Sequence, residues 1–245
     1  MIKKYILALI NLFYPNHCLL DGTKLESNAK FHLCEACLKK IKFITAPVCV
    51  NCGSPAQFEE NRDIKVLNFV CQKCSHSKNW FRFVRSAYIY EGVIKNCIHL
   101  FKYKKKIALR KLFAMSLTNS FKLHFGTEKY DLIIAVPMHP FKKFLREFNH
   151  SEILASELSV NSGIRHLKRG LKRTKFSKSQ TTLNSSQRKK NVKGVFGLSK
   201  AYRIRRKKIL LIDDVATTLS TVNECAKLLI SNGAKFVDVL TVARG

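Results

Sequence analysis

The sequence predicts an α/β fold, with a mostly parallel sheet carrying helices on both faces, preceded by a small cysteine-rich domain. Three observations support this. After Trp80, short apolar runs alternate with helix-like stretches, the pattern of repeated strand–helix–strand units. Eight of the nine cysteines lie before residue 100, mostly in C-x-x-C pairs. Apolar residues make up 46% of the 245, enough to bury a core and too many for wholesale disorder. The length suits one medium domain plus a small one. The composition changes near Trp80, so we divide the chain into residues 1–80 and 81–245.

The first fifteen residues, MIKKYILALINLFYP, place Ile2, Tyr5, Ile6, Leu9, Ile10 and Phe13 at helical spacing. They predict an amphipathic helix packed on the protein. The run is too short to span a bilayer and lacks a clear small-x-small cleavage site.

The C-x-x-C pairs that follow point to metal and a reducing, cytoplasmic compartment rather than a disulfide scaffold. Cys49 and Cys52 are separated by 18 residues from Cys71 and Cys74. That spacing fits a zinc ribbon, in which four thiolates close a structural site. Gly53 suits the tight turn after the first pair. Upstream, Cys34 and Cys37 form another good pair, whose natural partner is the stretch HCLLDG, with Cys18 and with Asp21 where a second cysteine would stand. A carboxylate can ligate zinc, so Cys18, Asp21, Cys34 and Cys37 could close a second site, with His17 as an alternative fourth ligand. The other reading is a degenerate ribbon held by packing alone. Cys97 and Cys225 lie in helix-like stretches and read as ordinary buried thiols.

Downstream, RFVRSAYIYEG (82–92) predicts a strand ending at Gly92. A long helical stretch should follow, from Val93 to Phe121. DLIIAVP (131–137) is a short strand stopped by Pro137. SEILASELSV (151–160) reads as a helix, followed by a β-prone stretch near Ile164. A basic, polar segment covers 168–193. The chain then closes with strand KILLIDD, a helix over 221–232 and strand FVDVLTVA.

In parallel α/β sheets ligands bind beyond the carboxyl ends of the strands. Asp213 and Asp214 fall at one such end, and Val136-Pro137-Met138 at another. Adjacent carboxylates can accept hydrogen bonds from two neighbouring hydroxyls. Thr217, Thr218, Ser220 and Thr221, at a helix start, offer hydroxyl and N–H donors for a phosphate. A diol plus a phosphate describes a ribose 5-phosphate.

Lysine and arginine number 45 against 16 acidic residues, a net charge of +29. The surplus is uneven, with 17 basic and no acidic residues from Arg165 to Lys208, and 8 and none from Gly92 to Thr127. Such segments imply a polyanionic partner: nucleic acid, acidic membrane or a phosphorylated ligand. Lys102, Lys104, Arg173, Lys175, Arg188, Lys189 and Lys190 are the candidate contacts to single-stranded nucleic acid. Phe101, Tyr103, Phe176 and Tyr202 lie between them as possible stacking rings.

These residues also carry a family likeness. ILLIDDVATTLST resembles the phosphoribosyl-pyrophosphate (PRPP) signature of type I phosphoribosyltransferases. REFNHSEILA (146–155) is similar to an R-G-F-N-Q stretch, and RTKFSKSQTTLNSSQRKKNVKGVF (173–196) to an R-x-x-x-[TS]-x-x-Q…R-x-x-N-V-x-x-x-F segment. In that order, behind a double zinc ribbon, they resemble the ComF-type competence proteins over nearly the full length. The resemblance implies a phosphoribosyltransferase-like fold, one or two structural zinc ions, and a site for PRPP with Mg²⁺. Asp213 and Asp214 would grip the ribose and carry any catalysis. Ala216, Thr217, Thr218, Leu219, Ser220 and Thr221 would form the 5-phosphate loop. Val136, Pro137 and Arg146 would lie near pyrophosphate.

The implied role is handling of incoming single-stranded DNA in natural transformation, alongside DNA-uptake proteins. The alternative is an active phosphoribosyltransferase with a small acceptor. Leu219 stands where the family usually has glycine. If the backbone there is left-handed, leucine costs roughly 1–2 kcal/mol, and a side chain crowding the phosphate predicts weaker PRPP binding than in a glycine-bearing relative.

Overall fold

The two most apolar runs of the chain form the centre of the sheet. In the computed structural model, which describes residues 16–26, 29–56, 69–138, 148–174, 194–199 and 204–245, β5 (Lys208–Ala216) and β6 (Phe236–Arg244) pair in parallel. β6 is buried along its whole length, as expected of an inner strand covered on both faces. β1 (Val84–Ile89) lies outside β6, and β2 (Leu132–Ala135) outside β5, giving the parallel order β1-β6-β5-β2. The helix predicted over the first fifteen residues lies outside the described residues.

The alternation of side chains along β5 divides the core in two. Leu210 and Ile212 join α3 (Gly92–Tyr103), α4 (Arg110–Phe125) and α5 (His150–Ser162) in one apolar cluster. Ile209 and Leu211 join α6 (Ser220–Ser231) in the other. Helices therefore cover both faces, as predicted. Two short helices in the cysteine region, α1 (Glu35–Lys39) and α2 (Gln72–Ser75), start directly after Cys34 and Cys71 and carry Cys37 and Cys74.

Four features depart from the sequence reading. The long helix expected from Val93 to Phe121 is broken after Tyr103. Lys105 takes a left-handed backbone (φ 53°), and a 3₁₀ turn over Ile107–Leu109 leads into α4. Continuing the helix would set Lys102 and Lys106, four residues apart, side by side with like charge. The β-prone stretch near Ile164 makes only a bridge, His166 to Ile133. The basic segment contains the start of a hairpin, β3 (Leu171–Arg173) against β4 (Phe196–Leu198), in a separate antiparallel sheet. Finally, β5 runs two residues beyond the predicted KILLIDD, to Ala216, so the carboxylate pair lies just inside the end of the strand. Among the described residues no helix is long and apolar enough to cross a membrane.

Candidate functional site

The turn that opens each cysteine group is shaped by a left-handed glycine. Gly22 (φ 74°) donates its N–H to the Cys18 carbonyl at 3.0 Å, and Gly53 (φ 66°) does the same to Cys49 at 2.9 Å. HCLLDG and VCVNCG thus form equivalent turns, and Asp21 stands where Cys52 does in the second. Both predicted ligand sets are assembled. Cys49, Cys52, Cys71 and Cys74 form one group and Cys18, Asp21, Cys34 and Cys37 the other, each with its ligand atoms within 4.8 Å of one another. His17 is exposed, bridges to Lys24 and belongs to neither group.

The residues fit zinc. Sulfurs about 2.3 Å from a tetrahedral ion lie about 3.8 Å apart. The Sγ–Sγ separations are 3.6 Å for Cys52–Cys71 and 3.9 Å for Cys18–Cys37. The Asp21 carboxylate accepts from the Cys34 and Cys37 thiols at 3.1 and 3.2 Å, closing the first group with oxygen. Hydrogen bonds from Cys18, from the Thr23 amide, and then from Cys34 and Cys37 hold its carboxyl well below the usual range. In the second group burial pushes Cys49 up. The Cys71, Cys52 and Asn51 amides outweigh that and bring it down to about 7, which favours a thiolate ligand. Each group offers four protein ligands, the number of a structural zinc site. Cys97 and Cys225 are fully buried among apolar neighbours, with burial raising both thiols, Cys97 to about 12.

The carboxylate pair sits where β5 outruns β2. The last β2 partner is Ala135 against Ile212, and one further bond joins the Val136 N–H to the Ile212 carbonyl at 2.9 Å. Beyond it two helix ends close in. Ser151, in the first turn of α5, donates its hydroxyl to Asp213 Oδ1 at 3.0 Å. Asn149 caps α5 by accepting from the Ser151 N–H and ties the helix to β2 through the Val136 carbonyl at 3.0 Å. His150, where the family stretch has glutamine, is buried with Nε2 2.8 Å from the Phe101 carbonyl. Lys102, near the end of α3, reaches Asp214 Oδ1 at 2.7 Å, its side chain 19% exposed. Burial works against its charge, but Asp214, with Asp213 and Tyr90 behind it, raises its pKa. Burial and the Asp214 charge push Asp213 up to about 7, against Lys102, the Asp214 amide and Ser151.

The hydroxyl-rich turn follows directly. Thr218 donates to the Ser220 hydroxyl at 3.1 Å, and Leu219 is the N-cap of α6, with φ 62° and no side-chain cap. The N–H groups of such a first turn lack intrahelical partners and suit an anion. The backbone at Leu219 is therefore left-handed, the condition under which leucine carries a cost there. Its side chain is half-buried. It packs against the cluster of Cys49, Cys52 and Cys74 and against the α6 side of the core. Leu219 thus has a packing role that the sequence reading did not assign.

The basic residues divide. Lys102 belongs to the carboxylate site, which corrects its assignment to nucleic acid; an ion pair from a helix end was stronger than the surface reading. Lys104 is exposed beside Tyr103, which is 49% exposed and packs against His99. Phe101 is core. Arg173 is half-buried with its guanidinium over the Phe196 ring. Arg146, Lys175, Phe176, Arg188, Lys189, Lys190 and Tyr202 lie outside the described residues.

Ser151 and Arg244 escaped the sequence reading. Arg244 carried one signal, a charge inside the apolar run FVDVLTVARG. Its guanidinium donates to the Ala216 and Thr217 carbonyls at 2.9 and 2.6 Å, and to the Cys52 carbonyl at 3.2 Å.

Fold and site together define a class: two cysteine-rich ligand groups that fit zinc, ahead of an α/β domain whose paired carboxylates and hydroxyl turn occupy the carboxyl end of a parallel sheet. The double zinc ribbon domain family matches residues 9–75. The chain is 29% identical over 222 residues to competence protein F of Haemophilus influenzae, spanning 88% of this chain and 92% of that protein. It is 29% identical over 217 residues to the DNA utilization protein YhgH of Escherichia coli O6:H1, spanning 86% and 90%. Among solved structures, a purine phosphoribosyltransferase from Pyrococcus horikoshii aligns at 17% identity over 56% of this chain and 83% of that one, with a TM-score of 0.37. The resemblance to the ComF-type competence proteins thus extends over most of the chain.

Proposed function

We propose that this protein serves natural competence by handling single-stranded DNA as it enters the cytoplasm, and that Asp213, Asp214 and the turn over Thr217–Thr221 bind PRPP as its magnesium complex. Relatives named as a competence protein and a DNA utilization protein support the DNA role, as do the +29 charge and the acid-free segments. The observation that carries the ligand reading is the pairing of the two carboxylates with Ser151 and Lys102 directly ahead of the turn that opens α6. Ionised carboxylates accept from ribose hydroxyls, and the turn donates to phosphate.

Anisotropy of a labelled oligothymidylate, titrated with protein at rising salt, tests the DNA role. Binding should weaken steeply, with a slope near −0.7 per phosphate neutralised. No binding at about 50 mM salt, where such contacts are strong, would remove DNA from the proposal. Calorimetry with PRPP and Mg²⁺ tests the second half independently.

A further inference from the structure

The second cysteine centre is joined to the hydroxyl turn by three separate contacts. Arg244, 7% exposed at the end of β6, bonds the Cys52 carbonyl in the metal turn through Nε. Through Nη1 it bonds the carbonyls of Ala216 and Thr217, where the hydroxyl turn begins. Leu219, inside that turn, lays its side chain on Cys49, Cys52 and Cys74. Asn223, in the first turns of α6, accepts from the Trp80 N–H at 2.8 Å, and Asn79 next to it donates to Cys74 Sγ at 3.9 Å. The metal turn is itself fixed to the sheet. The Val84 N–H donates to the Asn51 carbonyl at 2.7 Å, and a Cβ on Gly53 would meet the Val84 carbonyl oxygen at 2.6 Å.

We propose that metal at Cys49, Cys52, Cys71 and Cys74 sets the conformation of the Thr217–Ser220 turn, with Arg244 and Leu219 as the positioning residues that transmit it. One guanidinium that satisfies carbonyls on both sides allows neither segment to shift without losing bonds to a buried charge. Leu219 keeps a left-handed backbone that leucine ordinarily avoids. Its packing on the cysteine cluster is the contact that favours this conformation, so loss of the cluster frees the turn to relax. Metal occupancy and anion binding are then linked, and each must strengthen the other by the same factor. The first centre makes none of these contacts and packs instead on the cluster formed by α3, α4 and α5.

The binding half of this coupling rests on the phosphate reading of the turn; the conformational half does not. The test uses the full zinc-loaded chain, the Arg244→Lys variant, and hydrogen–deuterium exchange of peptides spanning 214–224. Metal removal by a chelator should raise exchange in 217–221 by roughly tenfold or more, within the usual range of site–site coupling. It should lower the affinity for magnesium–PRPP by a similar factor. Arg244→Lys should show the raised exchange with zinc still bound at wild-type stoichiometry, which a general loss of folding would not produce. Arg244→Gln serves if the lysine variant does not fold. Unchanged exchange in 217–221 while the Cys49–Gly53 peptide opens would overturn the coupling. If the zinc-loaded protein binds no PRPP, the ligand reading falls and the exchange measurements still decide the coupling.

Discussion

Replacing Asp213 by Asn should stabilise the protein, and should do so more as pH rises. In the folded protein burial and the neighbouring Asp214 lift the Asp213 carboxyl from 3.8 to about 7. Between those values the native state holds a proton that the unfolded chain has released. Stability therefore falls as pH rises through this window and levels off above about 7. A shift of that size corresponds to roughly 4 kcal/mol if fully expressed. Asp213 is only half-buried, so solvent screening reduces this to about 1–2 kcal/mol. Asparagine keeps the shape and an acceptor for Ser151 but never ionises. Thermal unfolding of the two zinc-loaded proteins at about pH 5 and pH 8 measures the difference. The variant should melt about 1–2 °C above wild type at the lower pH, where roughly a third of the window has been crossed, and about 3–6 °C above it at the higher. A gap that closes as pH rises, or a variant less stable at both values, would refute the reasoning and place Asp213 among ordinary strand-end carboxylates.

Two further outcomes follow from the residues that depart from the family pattern. Leu219→Gly removes a left-handed penalty of roughly 1–2 kcal/mol but gives up partial burial of about 1 kcal/mol and adds chain entropy of about 0.5–1 kcal/mol. Its melting temperature should therefore stay within a few degrees of wild type. Zinc should leave the Cys49 centre faster, as followed with a chromogenic chelator; unchanged release would show that the leucine does not support that centre. Asp21→Cys should turn the first centre into a four-thiolate site that holds zinc more tightly, since zinc favours thiolate over carboxylate in closed structural sites. A competition titration that finds no gain in affinity would show that Asp21 is already as good a ligand.

The parts of this architecture that local patterns specify were legible in the sequence. ILLI and the run from Phe236 name themselves as inner strands because both faces are apolar, and the C-x-x-C turns fix four ligands within a few residues. What could not be read depended on partners far along the chain. Lys102 looks like one more lysine in a basic helix, and only packing of α3 over the end of β5 shows that it faces Asp214. The β3–β4 hairpin has no apolar alternation in its first strand and owes its register to pairing across the long basic segment. The joint role of Arg244 needed three carbonyls brought together from two regions.

The cysteine-rich region does more than precede the sheet; it completes it. β1 is an edge strand, and an open edge invites pairing with other chains. The segment between the two metal centres covers that edge. The Ile89 N–H donates to the Lys42 carbonyl at 3.0 Å, the Ile44 N–H donates to the Ala87 carbonyl at 3.1 Å, and Phe43 bridges antiparallel to Tyr88, their rings 5.0 Å apart. The second metal turn takes over where that pairing ends, at Val84. One centre packs on the α3 side of the core, the other reaches the hydroxyl turn through Arg244, and the segment joining them covers the edge of β1. With contacts distributed in this way, the metal centres and the α/β sheet stabilise one another. The carboxylate–hydroxyl site is then held from both ends: by α3 and α5 through Lys102 and Ser151, and by the metal turn through Arg244 and Leu219.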